Sequence, residues 1–296
     1  MARFSEETLA NWTLPASSTE ESKLANAERA VKDAIYVNKF STSDVEAFGQ
    51  GSYANDTNVK NNSDIDINVC YHGGFFYQIP PSKTKEDFGL VNPISYGFIE
   101  YKNDIEALLV TRFGRSAVTR NNKCITISES STRVETDVVP TWRFRRYNED
   151  GNYVVGVKFR ADSGEWIESF PKQHIENGKA KNRSTFKRFK RLTRIFRKAR
   201  YQMIASGEIV NKNISSFLLE CLVWNCPDRV FNNYTTWTER LRQAVIYLYN
   251  ATNGDDCNKW GEVSDLLYLF HSERKWTKAD VNAHMLHMWQ YFKFTN

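Results

Sequence analysis

Residues 63–69 read Ser-Asp-Ile-Asp-Ile-Asn-Val, and this strict alternation of polar and aliphatic residues predicts a β-strand with one buried face. The aliphatic residues would face the core, which leaves Asp64 and Asp66 together on the opposite face. Two carboxylates so close repel each other unless a cation lies between them. Carboxylate oxygens are ligands that Mg²⁺ prefers, so the strand predicts a magnesium site. Taken alone, an Asp-x-Asp pair is more often a solvated strand face.

A third acid comes from a second alternating segment. Residues 132–139 place Glu135 and Asp137 on one face, and the turn at 129–131 joins them to another alternating segment at 123–128. This pattern predicts a hairpin. If the hairpin neighbours the first strand, Asp137 joins Asp64 and Asp66, and the three acids can hold two metal ions about 4 Å apart.

A short turn lies upstream of the first two acids. The predicted strand at 44–48 runs into Gly49-Gln50-Gly51-Ser52. Glycine lets the chain turn sharply and brings backbone N–H groups close to phosphate oxygens, and the serine hydroxyl adds a donor. Gln50, Gly51 and Ser52 are therefore candidate nucleotide-binding residues. A lone Gly-Ser pair is common in turns, but its combination with three strand-borne acids is much rarer.

The remaining pattern predicts two domains. Residues 19–37 and 96–113 have helical spacing, 72–93 indicate a long loop, and 153–159 a further strand. Beyond about residue 180 the apolar residues recur at helical spacing only, with Ser184 as a candidate cap for one helix and Thr277 with Asp280 as a candidate cap for the last. We therefore expect an α/β core with its N-terminal helix at 1–165 and an α-helical lobe at 166–296.

The positive charge is concentrated in one segment. The whole chain has a formal net charge of +5, yet residues 181–200 contain ten Lys and Arg and no Asp or Glu. Arg194 and Arg197 are candidate ligands of a triphosphate because guanidinium groups match phosphate oxygens. The alternative is that these are solvated charges. Exposed loops lack the interleaved aromatic residues of a nucleic-acid track, so we expect no stable nucleic-acid binding.

Several classes of protein are excluded by composition. No apolar run reaches the ~18 residues that a membrane span needs, and the first residues lack the apolar core of a signal peptide. The five cysteines are an odd number without paired spacing, which argues against a disulfide framework. His284 and His287 lie one helical turn apart, but no matching cluster supports a zinc site. We expect a cytoplasmic protein that does not contact a membrane.

The motifs together resemble a known family. Residues 51–59 and 63–69, with Tyr53, Thr57 and Ser63 among the matches, resemble the signature of the bacterial cGAS/DncV-like nucleotidyltransferases (CD-NTases). Residues 136–140 resemble the strand that carries the family's third carboxylate. The resemblance spans about residues 45 to 200 and implies a polymerase-beta-like core with a mixed β-sheet, packed against a C-terminal α-helical lobe as a bilobed cage.

The resemblance also implies a function. CD-NTases join nucleoside triphosphates (ATP, UTP or GTP) into cyclic di- or trinucleotides and release pyrophosphate. They act in anti-phage systems called CBASS, where the product activates a separate effector protein. Asp64, Asp66 and Asp137 would be the catalytic acids and would bind two Mg²⁺ ions, with Mn²⁺ as an alternative. We expect a monomer.

Two further positions follow from the resemblance. Arg197 stands where related enzymes usually have a lysine, one turn after an arginine. Asn182 stands where some members of the E clade place an asparagine against a uracil edge, which suggests that uridine is used; the alternative is a turn or helix-capping residue.

Two other functions stay open at this point. The same core could transfer nucleotides to an RNA end or to a protein acceptor, which would need an acceptor groove or an added domain. A catalytically inactive nucleotide or RNA sensor is the second alternative, against which the presence of all three acids counts.

Overall fold

The computed structural model describes residues 3–15, 17–37, 39–59, 64–90 and 95–295. The chain divides into two compact units. The sheet unit is built from described residues within 17–53 and 63–171, and the helical unit from described residues within 1–16, 54–62 and 172–296. The division therefore follows Pro171 instead of residue 165, and two N-terminal segments belong to the helical unit.

Helices flank the strands in the first half of the chain and replace them in the second half. In chain order the elements are α1 (Glu6–Trp12), α2 (Ser18–Tyr36), β1 (Val45–Gln50), α3 (Gly51–Ala54), β2 (Ile65–Gln78), α4 (Phe98–Phe113), β3 (Val118–Arg120), β4 (Ile125–Ile127), β5 (Thr136–Tyr147), β6 (Tyr153–Arg160), β7 (Trp166–Ser169), α5 (Pro171–Ser184), α6 (Arg188–Ala205), α7 (Ser216–Asn225), α8 (Asp228–Asn232), α9 (Trp237–Asn253) and α10 (Lys278–Phe292).

One mixed sheet forms the sheet unit. Across the described residues its seven strands run in the order β1-β2-β5-β4-β3, and β6 pairs with both β5 and β7. β2 and β5 are parallel, and the other pairs are antiparallel. The predicted pairing of segments 123–128 and 132–139 is confirmed, because β4 and β5 are antiparallel neighbours. β5 is thus central, with β2 on one side and both β4 and β6 on the other.

β2 is longer than the sequence predicted. The prediction that a loop begins at residue 72 is wrong, because the strand continues to Gln78. A register shift between Tyr71 and Phe75 accommodates Gly73 and Gly74 without ending the pairing with β5. Such a bulge inserts unpaired residues into one strand and bends it. The glycines therefore mark an irregularity in a strand.

Each unit has its own apolar core. In the sheet unit, α2 and α4 pack on the aliphatic face of the strands, and α2 begins with a capping box between Ser17 and Glu20. The helical unit is built around a second cluster that includes α6, α7, α9 and α10. The predicted cap of α10 by Thr277 and Asp280 is confirmed.

One helix was missed from the sequence. Residues Pro171–Ser184 form α5, whose composition is strongly polar and gives little apolar periodicity. The following helix, predicted to start near residue 184, begins at Arg188 instead. Asn182 therefore lies within α5, near its end, and does not precede the first helix of this segment.

Candidate active site

Two of the predicted acids lie on neighbouring strands of the sheet unit. β2 runs parallel to β5, and Asp66 is the register partner of Asp137. Registered neighbours point to the same side of a sheet, and adjacent strands are about 4.8 Å apart. The register also places Gln50 of β1 beside Asp66 and Thr126 of β4 beside Asp137. A row of four polar side chains therefore crosses four strands on one face.

The opposite face of these strands explains why the acids point outward. Ile65, Ile67 and Val138 are fully buried in the core of the sheet unit, whereas Asp66 and Asp137 are half-buried. Since side chains alternate along a strand, burying the aliphatic set leaves the acids on the other face. The hydrophobic pattern thus fixes the direction of the carboxylates.

Asp64 lies at the very start of this arrangement. It is exposed and precedes the first residue of β2, where the Ile65 N–H donates to the carbonyl of Glu135 at 3.2 Å. By alternation it belongs to the same face as Asp66. Asp64 therefore extends the acidic row at the edge where β2 and β5 begin.

The turn after β1 lies on the acidic face of the sheet. Gly51 has a φ of +64°, and a Cβ atom added there would come within 2.9 Å of the Asp66 Cγ. Glycine is therefore required twice, once by the backbone conformation and once by the close carboxylate. Ser52 follows in α3 and is half-buried. The predicted turn residues are thus adjacent to the predicted acids.

A buried amide holds Gln50. The Nδ2 of Asn68 donates to the Gln50 Oε1 at 3.0 Å, and the Thr141 hydroxyl donates to the Asn68 Oδ1 at 2.7 Å. Asn68 and Thr141 are both fully buried. Neither residue was predicted from the sequence, although the alternation that placed Asp66 on this face also placed Asn68 there.

Asp137 has a neighbour that the sequence analysis also missed. The Thr126 hydroxyl donates a hydrogen bond to Asp137 Oδ1. Nearby, burial and the charge of Asp137 raise the pKa of the Cys124 thiol to about 11, so the thiol stays protonated at neutral pH. Cys124 is therefore no nucleophile here. Only the strand register, which pairs Thr126 with Asp137, identifies this contact.

The two arginines predicted to bind phosphate contact other segments of the helical unit. Arg194 is buried, and its guanidinium donates to the carbonyl of Thr13 at 2.8 Å and to the carbonyl and carboxylate of Asp56 at 2.7 and 2.6 Å. Arg197 is also buried and donates to the carbonyl of Thr57 at 3.0 Å. Both side chains anchor other segments of the helical unit, so their placement does not support the predicted contact with phosphate.

The side-chain oxygen of Asn182 accepts a hydrogen bond, and its NH₂ group does not donate one to any described residue. Its Oδ1 accepts the backbone N–H of Lys190 at 3.2 Å, across the join of α5 and α6. Because a backbone N–H can only donate, the oxygen of the amide must face Lys190 and the NH₂ group must point elsewhere. Within the described residues this NH₂ group makes no hydrogen bond.

Comparison with known proteins then decides the family. The chain is 57% identical over 296 residues to the cyclic dipyrimidine nucleotide synthase CdnE of Cecembia lonarensis, covering 99% of this chain and 100% of that protein. Residues 176–293 also match the cGAS/DncV-like nucleotidyltransferase C-terminal helical domain. The chain belongs to the cGAS/DncV-like nucleotidyltransferase family.

Two solved structures extend this likeness. The Elizabethkingia meningoseptica CdnE cyclic dinucleotide synthase with GTP and Apcpp is 34% identical, with a TM-score of 0.82 over 99% of this chain and 100% of that one. The Rhodothermus marinus CdnE c-UMP-AMP synthase with Apcpp and Upnpp is 26% identical, with a TM-score of 0.83 over 99% of both. The predicted nucleotidyltransferase fold of this CD-NTase is therefore confirmed.

The acids of this CD-NTase suit a metal ion in type. Enzymes of this nucleotidyltransferase family typically depend on metal. Burial raises the pKa of Glu135, and the negative charges of Asp64, Asp137 and Glu129 raise it further. Crowded carboxylates of this kind gain from a divalent cation. Across the part of the chain that the structure describes, however, no three Asp, Glu, His or Cys side chains are gathered closely enough to hold a metal ion as they stand.

Two expectations concern other parts of the CD-NTase chain. Ser63, one of the residues that carry the resemblance, lies outside the described residues. No helix among those described is both long and apolar enough to cross a membrane.

Proposed function

We propose that this CD-NTase joins two pyrimidine nucleoside triphosphates, at least one of them UTP, into a cyclic dinucleotide and releases two pyrophosphates. The observation that carries the proposal is the parallel register of Asp66 with Asp137, with Gly51 against Asp66. The pyrimidine choice is supported by the 57% identity to a cyclic dipyrimidine nucleotide synthase. As the family resemblance implies, the product would act on a separate effector protein.

Two identical displacements account for the product. A ribose hydroxyl of one nucleotide attacks the α-phosphorus of the other, a P–O bond forms, the bond to the β-phosphate breaks, and the hydroxyl loses its proton. A second attack in the opposite sense closes the ring. Each step needs the attacking and leaving oxygens in line with phosphorus, so the protein acts mainly by positioning and by charge neutralisation.

Different residues of the chain would bind the metal and the phosphate groups. Asp64, Asp66 and Asp137 would hold Mg²⁺, with Mn²⁺ as an alternative, and the bound metal would neutralise phosphate charge and favour loss of the hydroxyl proton. Gly51 leaves room for the Asp66 carboxylate because it has no side chain, and its backbone can approach phosphate oxygens closely. Ser52 offers a hydroxyl donor, and Gln50 is held in place by Asn68.

Asn182 would select the base through its free NH₂ group. The amide oxygen is occupied by the Lys190 N–H, so the side chain presents only a donor. A donor suits a carbonyl such as O4 of uracil and does not suit the exocyclic amino group of cytosine. Asn182 therefore favours uridine at the position it contacts.

The catalytic proposal is tested by pyrophosphate release. The wild-type protein should release pyrophosphate from mixed nucleoside triphosphates when Mg²⁺ or Mn²⁺ is present. Asp66→Asn should reduce the rate by about 100-fold or more while the fold is retained, because it removes a charge that acts at the reacting phosphate. An Asp66→Asn protein as active as the wild type would refute the assignment.

Base selection has its own matched pair of variants. Asn182→Asp keeps an oxygen that accepts the Lys190 N–H but removes the NH₂ donor, whereas Asn182→Ser replaces the whole amide with a shorter hydroxyl. Both variants should lose the preference for uridine in competition between UTP and CTP, measured by mass spectrometry of the products. An unchanged ratio of bases in the Asn182→Asp product would exclude this role.

A further inference from the structure

A hydrogen-bond relay of Thr141, Asn68 and Gln50 crosses three neighbouring strands of the sheet unit. The Thr141 hydroxyl on β5 donates to the Asn68 Oδ1 at 2.7 Å, and the Asn68 Nδ2 on β2 donates to the Gln50 Oε1 on β1 at 3.0 Å. Thr141 and Asn68 are fully buried, whereas Gln50 is half-buried. The relay therefore begins at a residue shielded from solvent and ends beside Asp66, the register partner of Gln50.

The buried end of the relay sets its direction. Among the described residues the Thr141 hydroxyl has a single hydrogen-bond partner, the side-chain amide of Asn68. If the relay ran the other way, the NH₂ group of Asn68 would face this hydroxyl, and the hydroxyl proton would be buried without an acceptor. A buried donor without a partner costs free energy, so the proton is given to Asn68.

The direction at Thr141 decides which end of the Gln50 amide is left for a ligand. Because the Thr141 proton goes to the oxygen of Asn68, the NH₂ group of Asn68 must face Gln50. That NH₂ group can only donate, so it occupies the oxygen of the Gln50 amide. Within the part of the chain that the structure describes, the Gln50 Nε2 makes no hydrogen bond. It is an available donor at one end of the polar row that contains the acids.

A donor at this place suits a substrate rich in oxygen. Phosphate and ribose oxygens of a nucleotide accept hydrogen bonds, whereas the ionised carboxylates of Asp66 and Asp137 can themselves only accept. At the other end of the row the Thr126 hydroxyl already donates to Asp137. In this row, Gln50 is therefore the side chain able to donate to a nucleotide.

We propose that the Gln50 NH₂ group donates to a phosphate or ribose oxygen of the nucleotide, and that Asn68 and Thr141 are positioning residues that fix this orientation. The proposal rests on the function proposed above, since the ligand is the substrate of that reaction. Thr141 acts without touching the nucleotide. Its proton orients two amides in turn, and loss of that proton lets both turn over, so that the Gln50 oxygen faces a substrate oxygen.

Binding measurements identify the oxygen that Gln50 contacts. Uridine, inorganic triphosphate and a non-hydrolysable UTP analogue are titrated by calorimetry in the presence of Mg²⁺. Gln50→Met keeps the length of the side chain and removes the amide, so it should weaken binding of the analogue by about 10-fold. An equal loss for inorganic triphosphate assigns the contact to a phosphate oxygen, and an equal loss for uridine assigns it to the ribose. Unchanged binding of all three ligands would overturn the contact.

The orientation by Thr141 is tested with three variants. Thr141→Val keeps the shape of the side chain and removes the proton, and it should lower kcat/KM for pyrophosphate release by about 3- to 10-fold. Thr141→Ser keeps a hydroxyl and should stay near the wild-type value. Thr136→Val is the matched control, because Thr136 is equally buried on β5 but its hydroxyl donates to the Val134 carbonyl at 3.0 Å. This control should lower the midpoint of thermal unfolding as much as Thr141→Val and keep the activity.

A double variant separates positioning from support of the fold. In a Gln50→Met protein no amide is left to orient, so adding Thr141→Val should cause no further loss of kcat/KM. It should still lower the midpoint of thermal unfolding. Losses of kcat/KM that multiply in the double variant would overturn the positioning role, because a residue that only supports the fold acts independently of Gln50.

The same measurements distinguish this proposal from the function on which it rests. A wild-type protein that makes a cyclic product of purines, with losses that do not multiply, would refute the pyrimidine specificity and support the relay. A wild-type protein that makes a cyclic dipyrimidine, with losses that multiply, would refute only the role of Thr141.

Discussion

At Gly51 the backbone has a φ of +64°, and a side chain there would collide with the carboxylate of Asp66. We expect Gly51→Ala to abolish most of the activity, because the new methyl group must displace Asp66 or the turn. The free energy of unfolding should also fall by about 1–2 kcal/mol from the left-handed backbone conformation alone. Pyrophosphate release and denaturant unfolding measure the two effects separately.

Gly89 provides the control for that substitution. It has the same φ of +64°, but nothing lies within 4 Å of an added Cβ atom. Gly89→Ala should therefore lose a similar amount of stability and keep its activity. Equal activities of the two alanine variants would show that the space beside Asp66 does not matter.

The hydrogen bond from Thr126 to Asp137 can be tested in the same way. Thr126→Val keeps the shape of the side chain and removes the donor, and we expect the rate to fall by about 3- to 10-fold, as for the loss of one hydrogen bond. Thr126→Ser keeps a hydroxyl and should stay near the wild-type rate. The rates are measured by steady-state kinetics with UTP. Equal rates for the valine variant and the wild type would show that this hydrogen bond has no role in the reaction.

Among the secondary-structure elements, the segment after α3 is anchored within the helical unit. The Thr57 hydroxyl donates to the buried carboxylate of Glu220, and Arg197 holds the Thr57 carbonyl. Thr57→Val should lower the free energy of unfolding by about 1–3 kcal/mol, because it leaves Glu220 with an unmet acceptor. Thr57→Ser should cost much less, as measured by urea unfolding. A valine variant as stable as the serine variant would show that this hydrogen bond does not anchor the segment.

The sequence predicted some elements well because their information is local. The alternation at 65–69 correctly indicated that the acids and the aliphatic residues face opposite sides, and the capping pair of Thr277 and Asp280 correctly marked the start of α10. Such signals depend on neighbours in the chain, which the sequence displays directly.

Other features depend on partners that are distant in sequence. The parallel pairing of β2 with β5 extends the strand past Gly73 and Gly74, where local signals indicated a loop. The charge run of α6 gave no sign that Arg194 would bind the Thr13 carbonyl, since that partner lies 181 residues away. The sequence could therefore identify a cluster of cations but could not show which of them remains available to a ligand.

For the protein as a whole, His284 should make stability depend on pH. Burial, helped by the nearby charges of His287 and Arg200, lowers the pKa of His284 to about 4. In the unfolded chain the group titrates near pH 6.5, so on acidification the unfolded chain takes up a proton that the folded protein does not. The free energy of unfolding should fall by up to about 3 kcal/mol between pH 6.5 and 4 from this group.

The variant His284→Leu isolates that contribution. It removes the titrating group and keeps an apolar side chain at a buried position, so its stability should change less over the same pH range. The comparison is made by urea unfolding at several pH values. Parallel curves for the two proteins would show that His284 does not titrate in this way.

The most direct test of the proposed chemistry is the identity of the product. The protein is incubated with all four nucleoside triphosphates and Mg²⁺, the mixture is treated with phosphatase, and the resistant material is analysed by mass spectrometry. We predict a cyclic dinucleotide of two pyrimidines, at least one of them uridine, which is absent when Asp66→Asn replaces the wild type. A product that contains a purine, a linear product, or no phosphatase-resistant product would contradict the proposal.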